Sequence, residues 1–464
     1  MAAIITKDTR LLNAKAFVES VSESENTVYY VFLGKPTTWP VEYAPPQAID
    51  DYATQRDIWD NMEALKLVRT SDVIHAIPRY DWKAGNVYVA FNDRVPSANL
   101  FDSKYVVMNS EYNVYKCLGN GRGNVTTTEP TGTGASLTGR HPGIIVNSGT
   151  SQDGYVWKFM YNIPVGTWVK FGTTSFIPCL NVTSQIQQVA SNCRGIYDFT
   201  VLNANVGSNA LGTLTYYAKI VGTGDGTANA RVRISNGNVA NVWVDVFGNN
   251  YTYANVTALI NPSTGAESSL GNVVIAPVIS PPGGHGYDGI DELGGIYAMI
   301  NVRFEQSDAP IIPVNNFKFR QIGVLKDPFL YGTTKVPTLT TANTLLPAYS
   351  NVTIDGVISN SYKLISGATI KGATSGANAT VVSYIGNIIN YVQTEQTSAN
   401  AQANFTPFVV NDQLYVDTVS VGYIHALGNA AVDPRSGEII YIDNRNVITR
   451  ATDQVEDIFV VIEF

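Results

Sequence analysis

Two stretches of the chain concentrate the residue types that do chemistry. In GEIIYIDNR (437–445), Glu438, Asp443 and Arg445 surround a short apolar run. Two carboxylates and a guanidinium at that spacing could serve acid–base catalysis. In PPGGHGYDGIDELGG (281–295), His285, Asp288, Asp291 and Glu292 share a Gly-rich loop, a side-chain set that suits a cation or a proton transfer. Each has a plainer reading. Ile439, Ile440, Tyr441 and Ile442 form a strand buried on both faces, and DNR is the turn that follows it. The Gly-rich loop lacks EF-hand spacing, and such loops are commonly solvated turns or contact loops. The plainer reading carries more weight in both.

The remaining motifs are weaker. GTGDGT (222–227) resembles a phosphate loop, but no GK[ST] and no helical pattern follow, so it is a β-turn. GASLTG (134–139) misses the GxSxG spacing of a nucleophile elbow. His75, His141, His285 and His425 are scattered, with no HExxH. Trp39, Trp59, Trp82, Trp157, Trp168 and Trp243 could stack on sugars, although Trp in β proteins is mostly core or interface. No enzyme, cofactor or metal site is expected.

Composition narrows the partners. Charged residues make up 15% of the 464, with Tyr (26) and Gly (39) abundant, a profile that suits contact with other proteins. A formal charge of −8 and no run of Lys and Arg argue against nucleic acid or an anionic membrane as partner. Cys117, Cys179 and Cys193 lack CxxC spacing and are expected as buried, reduced thiols. The N-terminus has no signal-peptide pattern, and no apolar run approaches the length of a membrane span.

The elements that must position these residues are mostly strands. DTRLLNAKAFVESVS and DDYATQRDIWDNMEALKLV show helical periodicity; Leu11, Phe17 and Val21 mark the first face, and Ile58, Trp59, Met62 and Leu65 the second, with Asp50 and Asp51 as caps. NTVYYVFLG, GNVYVAFND, NVYKCLG and GYVWKFMYNIP are β-branched and aromatic runs. An internal repeat aligns ANARVRISNGNVAN (228–241) with ANATVVSYIGNIIN (377–390) without a gap. Each copy is a β-hairpin, and Asn236-Gly237 is a type I′ signal. The expected fold is mainly β with a few helices (α+β), a β-sandwich-like framework carrying two inserted β-hairpin modules. Its parts are a mixed framework at 1–195, a small β module at 196–280, framework strands at 281–351, a second, related module at 352–420 and closing strands at 421–464. Length alone suggests about three domains.

Seven colinear blocks carry a family resemblance. They are YYVFLGKPTTWP, IWDNMEALKLV, DVIHAIPRYDW, VYKCLG, DGYVWKFMYNIP, NFKFRQIGVLKDP and GEIIYIDNRNVITRATDQVEDIFVVIEF. Together they resemble the gene-eight-type baseplate wedge proteins of T4-like contractile-tailed bacteriophages, over most of 27–180 and then 315–330 and 436–464. The resemblance implies a non-enzymatic virion protein, made and assembled in the host cytoplasm. It implies a homodimer within the baseplate wedge that touches neighbouring wedge proteins and moves with them during tail contraction. The modules at 196–280 and 352–420 have no clear counterpart in that family.

Interface residues are expected among aromatics of the shared blocks: Trp39, Tyr80, Trp82 and Tyr155. The alternative is a tail-associated glycan- or receptor-binding protein that uses Trp243, Tyr251, Tyr253, Tyr384 and Tyr391 of the modules.

Overall fold

The computed structural model describes residues 4–22, 27–133, 144–146, 153–207, 211–308, 311–312, 317–337, 344–393, 406–451, 453 and 455–464. GASLTG and His141 lie outside these residues. The chain is mainly β, in antiparallel sheets accompanied by short helices. It divides into two compact units, Met1–Lys15 with Ile74–Ala298 and Glu463–Phe464, and Ala16–Val73 with Met299–Ile462. The expected framework at 1–195 is therefore not one body. The chain leaves its first unit after Lys15 and returns at Ile74, because Tyr29–Gly34 and Met62–Leu67 pair with strands from the C-terminal part.

In that second unit, five antiparallel strands run in the order Leu345–Pro347, Met62–Leu67, Tyr29–Gly34, Lys318–Lys326, Glu438–Thr449. Tyr29–Gly34 is buried along its whole length: Tyr29, Val31 and Leu33 face one apolar cluster, Tyr30 and Phe32 the other. The helix expected from Asp50 onward is real only as Tyr52–Asp60, with Asp51 Oδ1 accepting from the Thr54 N–H (2.7 Å). Beyond Asn61, MEALKL is the strand Met62–Leu67, buried on both faces; its apolar residues fit either period, and sheet pairing decides. GNVYVAFND forms no ladder strand, and Val87 and Val89 are exposed. In the last strand, Glu456–Glu463, Ile458 and Val460 are buried and Asp457 is exposed.

The expected turn at DNR does not exist. Glu438–Thr449 is one continuous edge strand, only partly buried. Its register against Lys318–Lys326 passes from Gln321↔Asn444 to Phe319↔Ile448, so Arg445, Asn446 and Val447 bulge opposite Arg320. Of the polar residues that read as a turn, Asp443 and Asn444 are paired in the ladder and Arg445 begins the bulge.

The two modules share one topology. The first comprises β1 (Phe199–Asn203), β2 (Thr215–Gly222), β3 (Asn229–Ser235), β4 (Asn238–Val246), β5 (Ala254–Ile260) and β6 (Val274–Pro277). β4-β3-β2-β5 form a sheet that the short strand Glu267–Ser269 extends beyond β5, β6 pairs with β1, an Asn205↔Asn238 bridge ties the end of β1 to β4, and β5 runs beside β6. The second comprises β7 (Ser350–Ile354), β8 (Thr369–Gly372), β9 (Asn378–Ile385), β10 (Ile388–Val392), β11 (Gln413–Val416) and β12 (Val419–Gly428), a closed barrel in the order β7-β10-β9-β8-β11-β12. The cyclic order is the same in both. β12 reaches Gly428, so the second module extends past the expected boundary at 420.

The repeat holds in register as well. Val232 pairs with Val242 in the β3–β4 hairpin, and the aligned Val381 pairs with Tyr391 in β9–β10. Towards the turns they part. The first hairpin bulges in its second strand, between Val239 and Asn241, and the second in its first strand, between Val381 and Ser383. The turn consequently slides by one residue. Asn236 and Gly237 are both left-handed (φ 49 and 74), as type I′ requires, whereas the second turn places Gly386 (φ 60) first, the type II′ position.

One buried group opposes the second unit's fold. Glu63 lies at the bulge between Met62 and Ala64, fully buried, and neither carboxylate oxygen makes a hydrogen bond. Burial pushes its carboxyl well above the ordinary value of 4.5, and the Arg320 charge only partly offsets this. An acid protonated when folded but ionised when unfolded removes stability as pH rises above 4.5. Glu63→Met is expected to raise stability at pH 8 by about 1–3 kcal/mol. In urea titrations the gain should shrink towards pH 4.5; a variant no more stable than the parent at pH 8 would refute it.

Candidate functional site

The Gly-rich loop folds tightly against the first unit's central sheet, which pairs Val106–Met108, Asn113–Asn120, Tyr155–Asn162 and Ile144–Val146 in that order. Lys116 and Lys158 stand directly opposite one another on its two middle strands, and both are buried. Like charges so placed repel, and each loses its hydration. Glu292 answers this: Oε2 accepts from Lys116 Nζ (2.9 Å), and Oε1 accepts from the N–H groups of Gly286 and Tyr287 (2.8 Å each). Lys158 Nζ approaches Cys193 Sγ at 3.5 Å. Burial lowers the Lys116 pKa, with Glu292 opposing, and raises that of the Cys193 thiol despite Lys158.

His285 is sealed in the same knot, edge-on to Phe91 and Tyr197. Burial, and then Lys116 and Lys158, hold its pKa well below 6.5, so it stays neutral. The glycines are steric necessities: a Cβ on Gly284 (φ 94) would lie 2.0 Å from the Ala190 carbonyl oxygen, and one on Gly286 (φ 90) 2.8 Å from Lys158 Cε. The acidic residues that read as cation ligands are spent internally. Asp288 caps the helix Gly289–Leu293 and meets Lys15 (3.1 Å), and Asp291 meets Lys7 (2.8 Å). Among the described residues, no group of three or more His, Cys, Asp or Glu side chains could hold a metal ion. The loop is a lock. Sequence reasoning passed over Lys116 and Lys158, whose signal was a single lysine interrupting each apolar run, VYKCLG and VWKFMY.

Asp443 and Arg445 form an exposed pair on the edge strand (Nε to Oδ2 2.7 Å), a contact of small energetic worth. Glu438 lies farther along that strand and meets Lys326 at 3.3 Å. The three make no active site.

The expected interface aromatics separate. Trp39 is half-buried in the second unit: its Nε1 donates to the Arg445 carbonyl (2.8 Å), its ring lies beneath Lys35 Nζ, and its main-chain N–H donates to Glu42. It fastens its loop to the outer edge of Glu438–Thr449 at the bulge. Tyr80 and Trp82, in the first unit, are half-buried. Tyr80 donates to the Asp102 carbonyl (3.3 Å), and Trp82 packs on the cluster around Tyr88 and Trp157. Tyr155 is a correction. It is fully buried, stacked on Trp157, and its hydroxyl donates to the Asn124 carbonyl (2.7 Å), so it has no surface to offer a partner. Tyr251 and Tyr391 are likewise buried, whereas Tyr253 and Trp243 are exposed.

The exposed apolar residues that sequence reasoning missed flank Trp39. Val41, Tyr43 (85% exposed), Ile49 and Tyr52 (86%) lie in the Pro-rich segment VEYAPPQAIDDY. Its prolines and low apolar periodicity were the available signal. The cysteines are buried and unbridged, as expected.

Glu292→Gln should destabilise the protein by about 3–5 kcal/mol, because it leaves the buried Lys116 ammonium without its carboxylate. The Lys116→Met, Glu292→Leu double variant should regain most of that loss in thermal melts; additive losses would refute a coupled lock. Because His285 is neutral when folded but takes a proton when unfolded, stability should fall as pH drops below 6.5. His285→Phe should flatten that slope; an unchanged slope would assign it to other groups. Neither a comparison with protein-family models nor one with curated proteins finds a match for this chain.

Proposed function

We propose that the chain is a non-enzymatic structural protein of the virion, a component of the tail baseplate wedge of a contractile-tailed phage. In this reading it is made in the host cytoplasm, forms a homodimer, joins neighbouring wedge proteins and passes on their rearrangement during contraction. The observation that carries the reading is the exposed stretch around Trp39. Val41, Tyr43 and Ile49 are displayed on a loop clamped to a long edge strand, Tyr52 opens the helix that follows, and both loop and strand begin in shared blocks. Exposed aromatics beside a sheet edge are what protein contacts use. The ionic groups of the shared blocks support the same reading, since Lys116, Lys158 and Arg320 are spent on internal packing.

Native mass spectrometry of the chain, alone and with neighbouring tail proteins, tests this. A dimer that enters a discrete heteromeric complex is expected, and a Tyr43→Ala, Tyr52→Ala variant should weaken assembly at least tenfold without lowering Tm. A stable monomer that ignores those proteins would overturn the reading. Trp39→Ala is expected to loosen the loop and weaken assembly, and intact folding with intact assembly would remove Trp39 from the interface.

A further inference from the structure

A cleft of about 460 Å³ opens in the first unit between the framework turns at 119–124 and 153–156 and the outer face of the β3–β4 hairpin. One wall is built by strand alternation. Arg231 on β3 pairs across the ladder with Trp243 on β4, and Asp245 follows on the same face. Arg231 Nε meets Asp245 Oδ2 at 2.8 Å and Oδ1 at 3.0 Å, and its guanidinium lies 5.7 Å from the Trp243 ring centre. Trp243 remains 39% exposed beside Arg231, large for an indole.

The opposite wall carries Arg122 and Asp198. Arg122 Nε donates to the Val242 carbonyl at 2.6 Å, which fastens the hairpin to the framework and fixes the width of the cleft. Asp198 is deeply set, and one oxygen accepts from the Phe199 N–H (2.8 Å). Burial raises its pKa to about 6, with the Phe199 N–H and Arg122 opposing. A carboxyl displaced this far in a cleft is what a binding site produces more often than a plain surface does.

The wall chemistry selects the ligand. Two guanidinium groups face two carboxylates, so an anion meets Asp198 and Asp245 and a cation meets Arg122 and Arg231. Neither is favoured. A neutral molecule with many hydroxyls avoids both conflicts. Its vicinal hydroxyls can donate to the carboxylates and accept from the guanidinium groups, while its C–H face lies on the indole. The volume suits a ligand of a few rings at most. We infer that this cleft is a saccharide-binding site, with Trp243 as the stacking platform and Asp198, Asp245, Arg122 and Arg231 as the hydroxyl-recognising groups. The inference is independent of the assembly role, because the cleft includes a module that the shared blocks do not cover.

A microarray of neutral hexose and N-acetylhexosamine oligosaccharides, probed with the full chain, tests it. Retention of a subset of these glycans is expected, and the strongest should be confirmed by isothermal titration with inorganic phosphate as the charged control. Trp243→Ala should weaken that binding at least tenfold with Tm unchanged, since its side chain is exposed. Asp245→Asn should weaken it several-fold and serves as the second probe. No retained neutral glycan, tighter binding of phosphate, or affinity that survives both substitutions would overturn the assignment.

Discussion

The first unit depends on one awkward pairing: two lysines facing each other across the middle of a buried sheet. Lys116 and Lys158 are both buried, and a carboxylate has to be brought to Lys116. Glu292 can do so only if the backbone folds back tightly enough for its second oxygen to collect main-chain donors. That demand explains the glycines, the neutral histidine and the thiol in the same pocket. It also explains why the N-terminal helix Lys7–Ser20 carries Lys7 and Lys15 to the outer carboxylates of the loop. A buried ion pair adds little net stability over an apolar replacement, but its geometry penalises any other placement of the loop.

The second unit faces the opposite difficulty, since the Glu63 carboxyl is buried with no hydrogen bond. The nearby Arg320 is already committed: Nε meets Glu42 Oε1 at 2.6 Å and Nη1 donates to the Pro36 carbonyl at 2.7 Å. Glu42 also accepts from the main chain of Trp39, so the cation that could have served Glu63 instead holds the loop that displays Tyr43. A core cost and an exposed surface feature thus meet at one guanidinium.

Class, repeat and most strands were legible in the sequence because they rest on local patterns. NVYKCLG and GYVWKFMYNIP are strands where their β-branched and aromatic residues say so, and Asn236-Gly237 turns as its chemistry requires. Failures came where distant partners decide. MEALKL became a strand because two neighbours were waiting for it, and Asp443 and Asn444 stay in a strand that bulges only from Arg445, where Trp39 holds its edge. The division into units was hidden for the same reason, since chain order does not reveal that Tyr29–Gly34 pairs with Lys318–Lys326. Tyr155 was misplaced because an aromatic in a strand reads alike whether it faces core or solvent.

The modules start and finish at paired positions. Phe199 on β1 stands opposite Pro277 on β6, and Asn351 on β7 stands opposite Gly428 on β12. The host chain therefore departs and comes back about 5 Å apart, one strand spacing. A gap of that size can be closed by a short hairpin connection, so either module could be gained, lost or exchanged in descent with little adjustment of the surrounding sheets. The two copies in one chain, already divergent in turn and bulge, are what such cassette-like grafting would leave behind.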